Sequence, residues 1–403
     1  MVVISNGFHK FHLSVAAAEA NERRLLSSFI TGAYPTPLIR KLSSLPPIRS
    51  HQKLQRLAAR AERIPDDLVH AIFTAETLSL LEKVRQSEAA RVVALEYYGR
   101  QASRHVERAA ARGGKIYHYR AGFGGKSIGA AKKCGMFLVC DHSIVHPAVL
   151  GPMVRKMGDM PSGQEMATLG RFWEYLQRDI ELADAVVVNS RFVADTFEHY
   201  GHRRSPVYTV YLGVDDAFST QVPERHSRQG DLRLLFAGNF EKRKGAEILI
   251  DAVAQSSHWR LDVAGPISAE LKERSQAFFS NPRVRYLGLL SRKDLALAMT
   301  NADVFVFPSF AEGSARVIFE ALASGCYVIT TPNGGSIVEP GVHGALVPPG
   351  DRHALVEAIE YALRHPAEVS EIGKSNAHCI RKHYRQRDYG DRLAGLYKEL
   401  LHL

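Results

Sequence analysis

The chain has 403 residues, too many for one ordinary hydrophobic core, so two domains are expected. Hydrophobic residues make up 45% and charged residues 23%, the balance of a water-soluble globular protein, and no apolar run nears the roughly 18 residues that span a bilayer. A formal net charge of +10 points to a polyanionic partner, whether nucleotide phosphates, an anionic membrane surface or nucleic acid.

Residues 1–5 are expected to form a strand, not the charged and then apolar run of a signal peptide. Asn6-Gly7-Phe8-His9 follows it. Gly7 leaves room for close backbone approach, so Gly7 and His9 are candidates for a loop that meets phosphate or acceptor. A plain strand-to-helix turn is the alternative. Residues 37–112 read as mostly helical and rich in Arg. Within 37–63, Arg40, Lys41, Arg49, Lys53, Arg56, Arg60 and Arg63 accompany Leu54, Leu57 and Ala61 at helical spacing, a pattern that suits an anionic surface.

Strands are expected at 115–119, 136–140, 185–189 and 207–212, with helices at 164–182 and 191–199. The stretch from Arg120 to Ser127 ends like a P-loop, but Arg120 stands where that loop needs Gly, so a turn is expected instead. His142 and His146, four apart after strand 136–140, lack the third ligand of a metal site. Cys134, Cys140, Cys326 and Cys379 form no CxxC pair, which fits a reduced, cytosolic compartment. The polar segment 221–231, with Pro and Gly, is the expected linker.

Beyond it, strands at 232–237, 260–264, 284–287, 304–307 and 327–330 alternate with helices at 246–254, 268–279, 291–300 and 315–324. Three more helices are expected at 351–364, 367–383 and 386–402. Continuous apolar strands separated by helices mark a parallel sheet covered on both faces. The expected fold is α/β, with two doubly wound domains over 1–220 and 221–385. Residues 386–403 form a last helix that can return to the first domain. Ligands in such sheets lie beyond the carboxyl ends of the strands, here in the cleft between the domains.

The strongest local signal runs from Phe307 through Pro308, Glu312, Gly313 and Glu320 to Gly325. A strand ends, a loop carries Glu312, and a helix starts near Ser314 with Glu320 about two turns in. Such a helix start suits a diphosphate, and the two carboxylates suit sugar and ribose hydroxyls. The alternatives are a solvated Glu312 and an exposed Glu320 paired with Arg316.

Two glutamates separated by seven residues in this setting resemble glycosyltransferase family 4. So do Gly334-Gly335, the run from Gly344 to Asp351, Glu181 to Ser190, and Leu212 to Phe218. The resemblance implies the GT-B fold, two Rossmann-like domains facing a cleft. It implies a retaining, metal-independent transfer from a nucleotide-diphosphate sugar, with no cofactor, to a carbohydrate, lipid-linked or small acceptor. The donor site would comprise Asn239, Arg243, Lys244, Glu312, Gly313, Ser314, Ala315, Arg316 and Glu320. Catalysis would fall to Lys244, Glu312 and His142, with His146 as the second choice of histidine. Asn239 occupies a position where the family carries Arg, and Arg243 is the candidate to replace it. No Asp-x-Asp occurs in the chain, so cations must meet the charge growing on the leaving diphosphate. A nucleotide-sugar 2-epimerase of the same fold and a non-catalytic nucleotide-sugar-binding subunit are the competing functions. No nucleic-acid-binding module is present to claim the positive charge.

Overall fold

The computed structural model describes residues 1–43, 52–85, 88–149, 164–200, 204–219 and 230–402. The first domain holds a parallel sheet of seven strands: β1 (Val2–Ser5), β2 (Leu26–Thr31), β3 (Val69–Ala71), β4 (Ile116–Arg120), β5 (Phe137–His142), β6 (Ala185–Val188) and β7 (Val207–Thr209). Their spatial order is β3-β2-β1-β4-β5-β6-β7. The second holds β8 (Leu232–Ala237), β9 (Trp259–Ala264), β10 (Val284–Gly288), β11 (Val304–Phe307), β12 (Tyr327–Thr330) and β13 (Gly344–Leu346) in the order β10-β9-β8-β11-β12-β13. All neighbours are parallel. Strands such as Val-Phe-Val-Phe of β11 are buried on both sides because helices cover both faces. In each sheet the order reverses once, between β1 and β4 and between β8 and β11. Loops that diverge at such a switch point leave a crevice for ligands.

The sequence did not reveal β2, β3 and β13. The expected linker, 221–231, lies mostly outside the described residues. The chain passes between domains twice, side by side: the Val214 N–H donates to the Tyr384 carbonyl at 2.8 Å, and the Gln386 N–H donates to Val214 at 3.2 Å. Val214 and Phe218 already belong to the second core.

The last helix, Gln386–His402, lies on the first domain. Tyr389, Leu393, Leu396, Tyr397 and Leu400 share a core with Val2, Ile4 and Leu13. Each such side chain taken out of water contributes about 1.5–3 kcal/mol, so this helix straps the domains together. Arg23 adds a polar tie to Asp391 at 2.8 Å. Among the described residues no helix is long and apolar enough to cross a membrane.

Candidate functional site

The loops at the two switch points meet in the cleft. In the second domain, β11 runs into residues 308–315, which are stitched to the loop after β12. The Glu312 N–H donates to Asn333 and the Ala315 N–H to Gly334, each at 3.0 Å, and Asn333 Nδ2 donates to the Phe310 carbonyl at 2.7 Å. The helix Arg316–Ala323 then begins at Ala315, whose side chain cannot cap it. The Ile318 N–H turns back to the Ala315 carbonyl at 2.9 Å, so among the described residues the N–H groups of Arg316 and Val317 are left for another acceptor.

The loop after β8 supplies the cations. Lys242–Lys244 form one tight turn, ended by Gly245 at φ 81°. A Cβ on Gly245 would strike the Pro308 carbonyl, so glycine lets the basic turn lie directly on the acidic loop. There Lys244 Nζ sits 2.5 Å from Glu312 Oε1. Arg243 donates to the same oxygen at 3.0 Å and to the Ala311 carbonyl at 2.9 Å. Ser309 Oγ donates to it as well, at 2.9 Å. Burial lowers the Lys244 pKa, while Glu312 opposes the shift. The result is a compact cluster in which two cations, Lys244 and Arg243, converge on one oxygen of the Glu312 carboxylate. Glu312 is therefore not a solvated loop acid. Arg243 is fixed on the far side by Glu241 at 2.9 Å, and Asn239 is exposed.

Glu320 is 5% exposed, which sets aside the alternative of a surface helix residue. Its partner is Arg292, at 3.2 Å, rather than the exposed Arg316. Arg292 also approaches Asp215 at 3.5 Å and covers the Phe218 ring. No sequence spacing announces Arg292, which comes from the preceding helix, Arg292–Asn301.

Gly313 joins the domains. A Cβ there would strike the Ser143 carbonyl of the first domain, and Ser190 Oγ donates to the Gly313 carbonyl at 2.5 Å. Ser314 lies beside it with its hydroxyl buried and unbonded. On the first-domain side β5 ends at His142, which is 2% exposed and edge-on to Phe197. Burial lowers the His142 pKa to about 4, so it is neutral at pH 7. His142 lines a cavity with Arg120, Asp141, Ser143, Phe172 and Leu176. His146 instead packs between Phe197 and Tyr200. Among the described residues, no group of three or more His, Cys, Asp or Glu is arranged to hold a metal ion.

The loop after β1 is built as carefully. Gly7 has φ 76° and donates to the Tyr98 hydroxyl at 3.1 Å. His9 has φ 61°, a region costly for a residue with a Cβ. Glu76 holds it there, accepting from the His9 N–H at 3.3 Å and lying 3.2 Å from Nδ1. Burial alone would raise the Glu76 carboxyl, but His9, the Ala33 N–H and Arg60 outweigh it and hold its pKa at about 2. Arg60, 2.6 Å from Glu76, is turned into the domain and is not part of a basic outer face. Nor is Arg40 unpaired, for it meets Asp66 at 2.6 Å. Residues 44–51 and the side chain of Lys53 lie outside the described residues. The P-loop-like stretch is a turn into the helix Lys126–Lys133, with the Gly124 N–H bonded to Asp179 at 2.8 Å. Asp141, Glu76, Arg120 and Arg292 were the site residues that motif spacing did not single out.

Residues 231–365 match the family described as Glycosyl transferases group 1, and residues 130–218 match Glycosyltransferase Family 4. The chain is 28% identical over 219 residues to D-inositol 3-phosphate glycosyltransferase of Pseudarthrobacter chlorophenolicus, covering 50% of this chain and 52% of the relative. It is 31% identical over 179 residues to phosphatidyl-myo-inositol mannosyltransferase of Mycobacterium leprae, covering 43% and 48%. The aligned part thus spans about half the length of the curated relatives it matches. The fold match covers the whole chain. Sucrose-phosphate synthase from Thermosynechococcus elongatus superposes with TM-score 0.63 at 18% identity, covering 100% of this chain and 99% of that one. Anabaena HepE, solved with UDP, gives 0.63 at 17% identity, covering 99% and 100%. Those neighbours establish the GT-B arrangement of two parallel-sheet domains around a cleft. With the two family matches lying in register on its two domains, the chain belongs to glycosyltransferase family 4.

Proposed function

We propose that the chain moves a sugar from a nucleotide-diphosphate donor to an acceptor, with retention at the anomeric carbon and without a metal. The carrying observation is the Lys244–Arg243–Glu312 cluster at an uncapped helix start, pressed against the first domain through Gly313. When the diphosphate leaves, negative charge grows on its oxygens. Lys244, Arg243 and the free N–H groups are already oriented to meet that charge, which lowers the barrier. Glu312 lies where a donor-sugar hydroxyl can reach its carboxylate, and Glu320 would take ribose hydroxyls. The absence of Asp-x-Asp from the sequence supports the metal-independent reading. Because HepE was solved with UDP, a uridine donor is the first choice. A thermal-shift screen of UDP-, GDP- and ADP-sugars tests the donor half. One nucleotide class should raise Tm by mass action at millimolar concentration; no shift with any class would overturn this reading.

The acceptor is proposed to be a carbohydrate, small or lipid-linked, met at an anionic membrane surface from the cytoplasmic side. Arg100, Arg104, Arg108 and Arg112 are exposed and four residues apart on the helix Glu88–Ala111 and its continuation. Among the described residues none of the four forms an ion pair. Like charges at this spacing weaken a helix, so a polyanion is their natural complement. Each can contribute about 1 kcal/mol at an anionic bilayer. Sedimentation with anionic vesicles at low salt should exceed that with neutral ones, and the excess should vanish when the four are changed to Glu. Equal sedimentation would favour an acceptor free in solution.

A further inference from the structure

Arg120 ends β4 on the first-domain side of the cleft and lies on the Phe11 ring, 3.4 Å from its centre. Among the described residues it forms no ion pair. The carboxylate that faces it is Asp141, and Asp141 is already engaged. Its Oδ2 meets His12 Nε2 at 2.8 Å and lies 3.9 Å from His118 Nε2. Its Oδ1 is buried and accepts no hydrogen bond. His118 is fixed from behind by the hydroxyl of Tyr397, 2.7 Å from Nδ1, in the strap helix. Burial lowers the Arg120 pKa to about 10, so the group remains a cation at pH 7.

A half-buried guanidinium without a salt-bridge partner is costly, and it presents a fixed fork of donors. The cavity it shares with His142, Ser143, Phe172 and Leu176 has a volume of about 60 Å³, room for a phosphate or carboxylate group before that fork, with the rest of the molecule outside it in the cleft. Ser143 touches Gly313, so the cavity adjoins the loop that carries Glu312. Lys244, Arg243 and Glu320 belong to the other domain and would serve the donor. A cation on this side has the acceptor as its partner.

We propose that Arg120 is the anion-reading residue of an acceptor subsite, which takes a sugar or polyol bearing a phosphate or a carboxylate. The inference rests on the proposed transfer reaction, since it takes the cleft to hold donor and acceptor together.

The test is calorimetric titration of the full chain, saturated with UDP, with glucose 6-phosphate, glucuronate and glucose. At least one charged sugar should bind about tenfold or more tightly than glucose. Preference for glucose 6-phosphate assigns phosphate, and preference for glucuronate assigns carboxylate. Arg120→Met should erase the preference and leave UDP affinity unchanged. Arg120→Lys keeps the charge but loses the fork, and it should reduce the preference about threefold to tenfold; it carries the test if Arg120→Met fails to fold. Equal binding of all three sugars, or a preference untouched in a folded Arg120 variant, would overturn the proposal. Loss of UDP binding by the wild type would instead indict the donor reading.

Discussion

Glu320 shows how a single side chain changes meaning once it is placed. On the sequence it could be one of many helix acids four residues from a basic partner. In the fold it is buried, and its partner Arg292 reaches in from another helix while covering Phe218. Such an arginine offers a ready counter-charge for a carboxylate that is proposed to receive ribose hydroxyls as well. Replacing Glu320 by Ala should weaken nucleotide binding by about 1.5–3 kcal/mol, the range for hydrogen bonds to a charged group, with circular dichroism unchanged. Calorimetry with UDP checks it, and an unaltered affinity in the folded variant would remove Glu320 from the donor site. His142 makes the opposite point. Its position after β5 was readable, but its neutrality comes from burial, to which Phe197 contributes and against which the Val145 carbonyl pulls, and no spacing ties Phe197 to it.

At the scale of elements, the joint between the loop 308–315 and the first domain is tight enough to test with one methyl group. A Cβ at Gly313 would meet the Ser143 carbonyl, and backbone cannot yield as a flexible side chain would. Gly313→Ala should cost about 1–3 kcal/mol through overpacking and should lower kcat, because the cleft must open to relieve it. Full activity at wild-type Tm would mean that the joint bears no catalytic geometry. The second domain was legible nearly throughout, since β11 and β12 are apolar runs, β8 is one but for Arg233, and β9 alternates apolar with charged residues, all between helices. β2 was not: Leu-Ser-Ser-Phe-Ile-Thr alternates poorly, and its buried Ser28 is a strand residue only because both neighbouring strands cover it. β3 and β13 are three residues each, too short to set a period. The loops proposed to hold the donor could be read because their glycines at close approaches and their charges at a helix start are visible in the sequence. The acceptor side could not, because Arg120, Asp141, His12 and His118 come from separate stretches joined only by the sheet.

The whole molecule is two crevices facing one another, held by paired crossings at Val214 and Arg385 and by the strap helix. On the proposed function, the second domain would bring cations to a leaving group, and the first would bring neutral and charged groups to an acceptor. Its central claim is that charge fixed in the protein, above all at Lys244, replaces a metal at the diphosphate. The direct measurement is the rate of nucleotide release from the preferred nucleotide sugar in excess EDTA, for the wild type and for Lys244→Ala. Undiminished wild-type turnover is predicted. For Lys244→Ala the account predicts a fall in kcat of roughly a hundredfold with a smaller change in KM, because the charge that Lys244 meets appears in the transition state. Turnover abolished by EDTA and restored by Mg²⁺, or a Lys244→Ala variant with wild-type kcat, would contradict it.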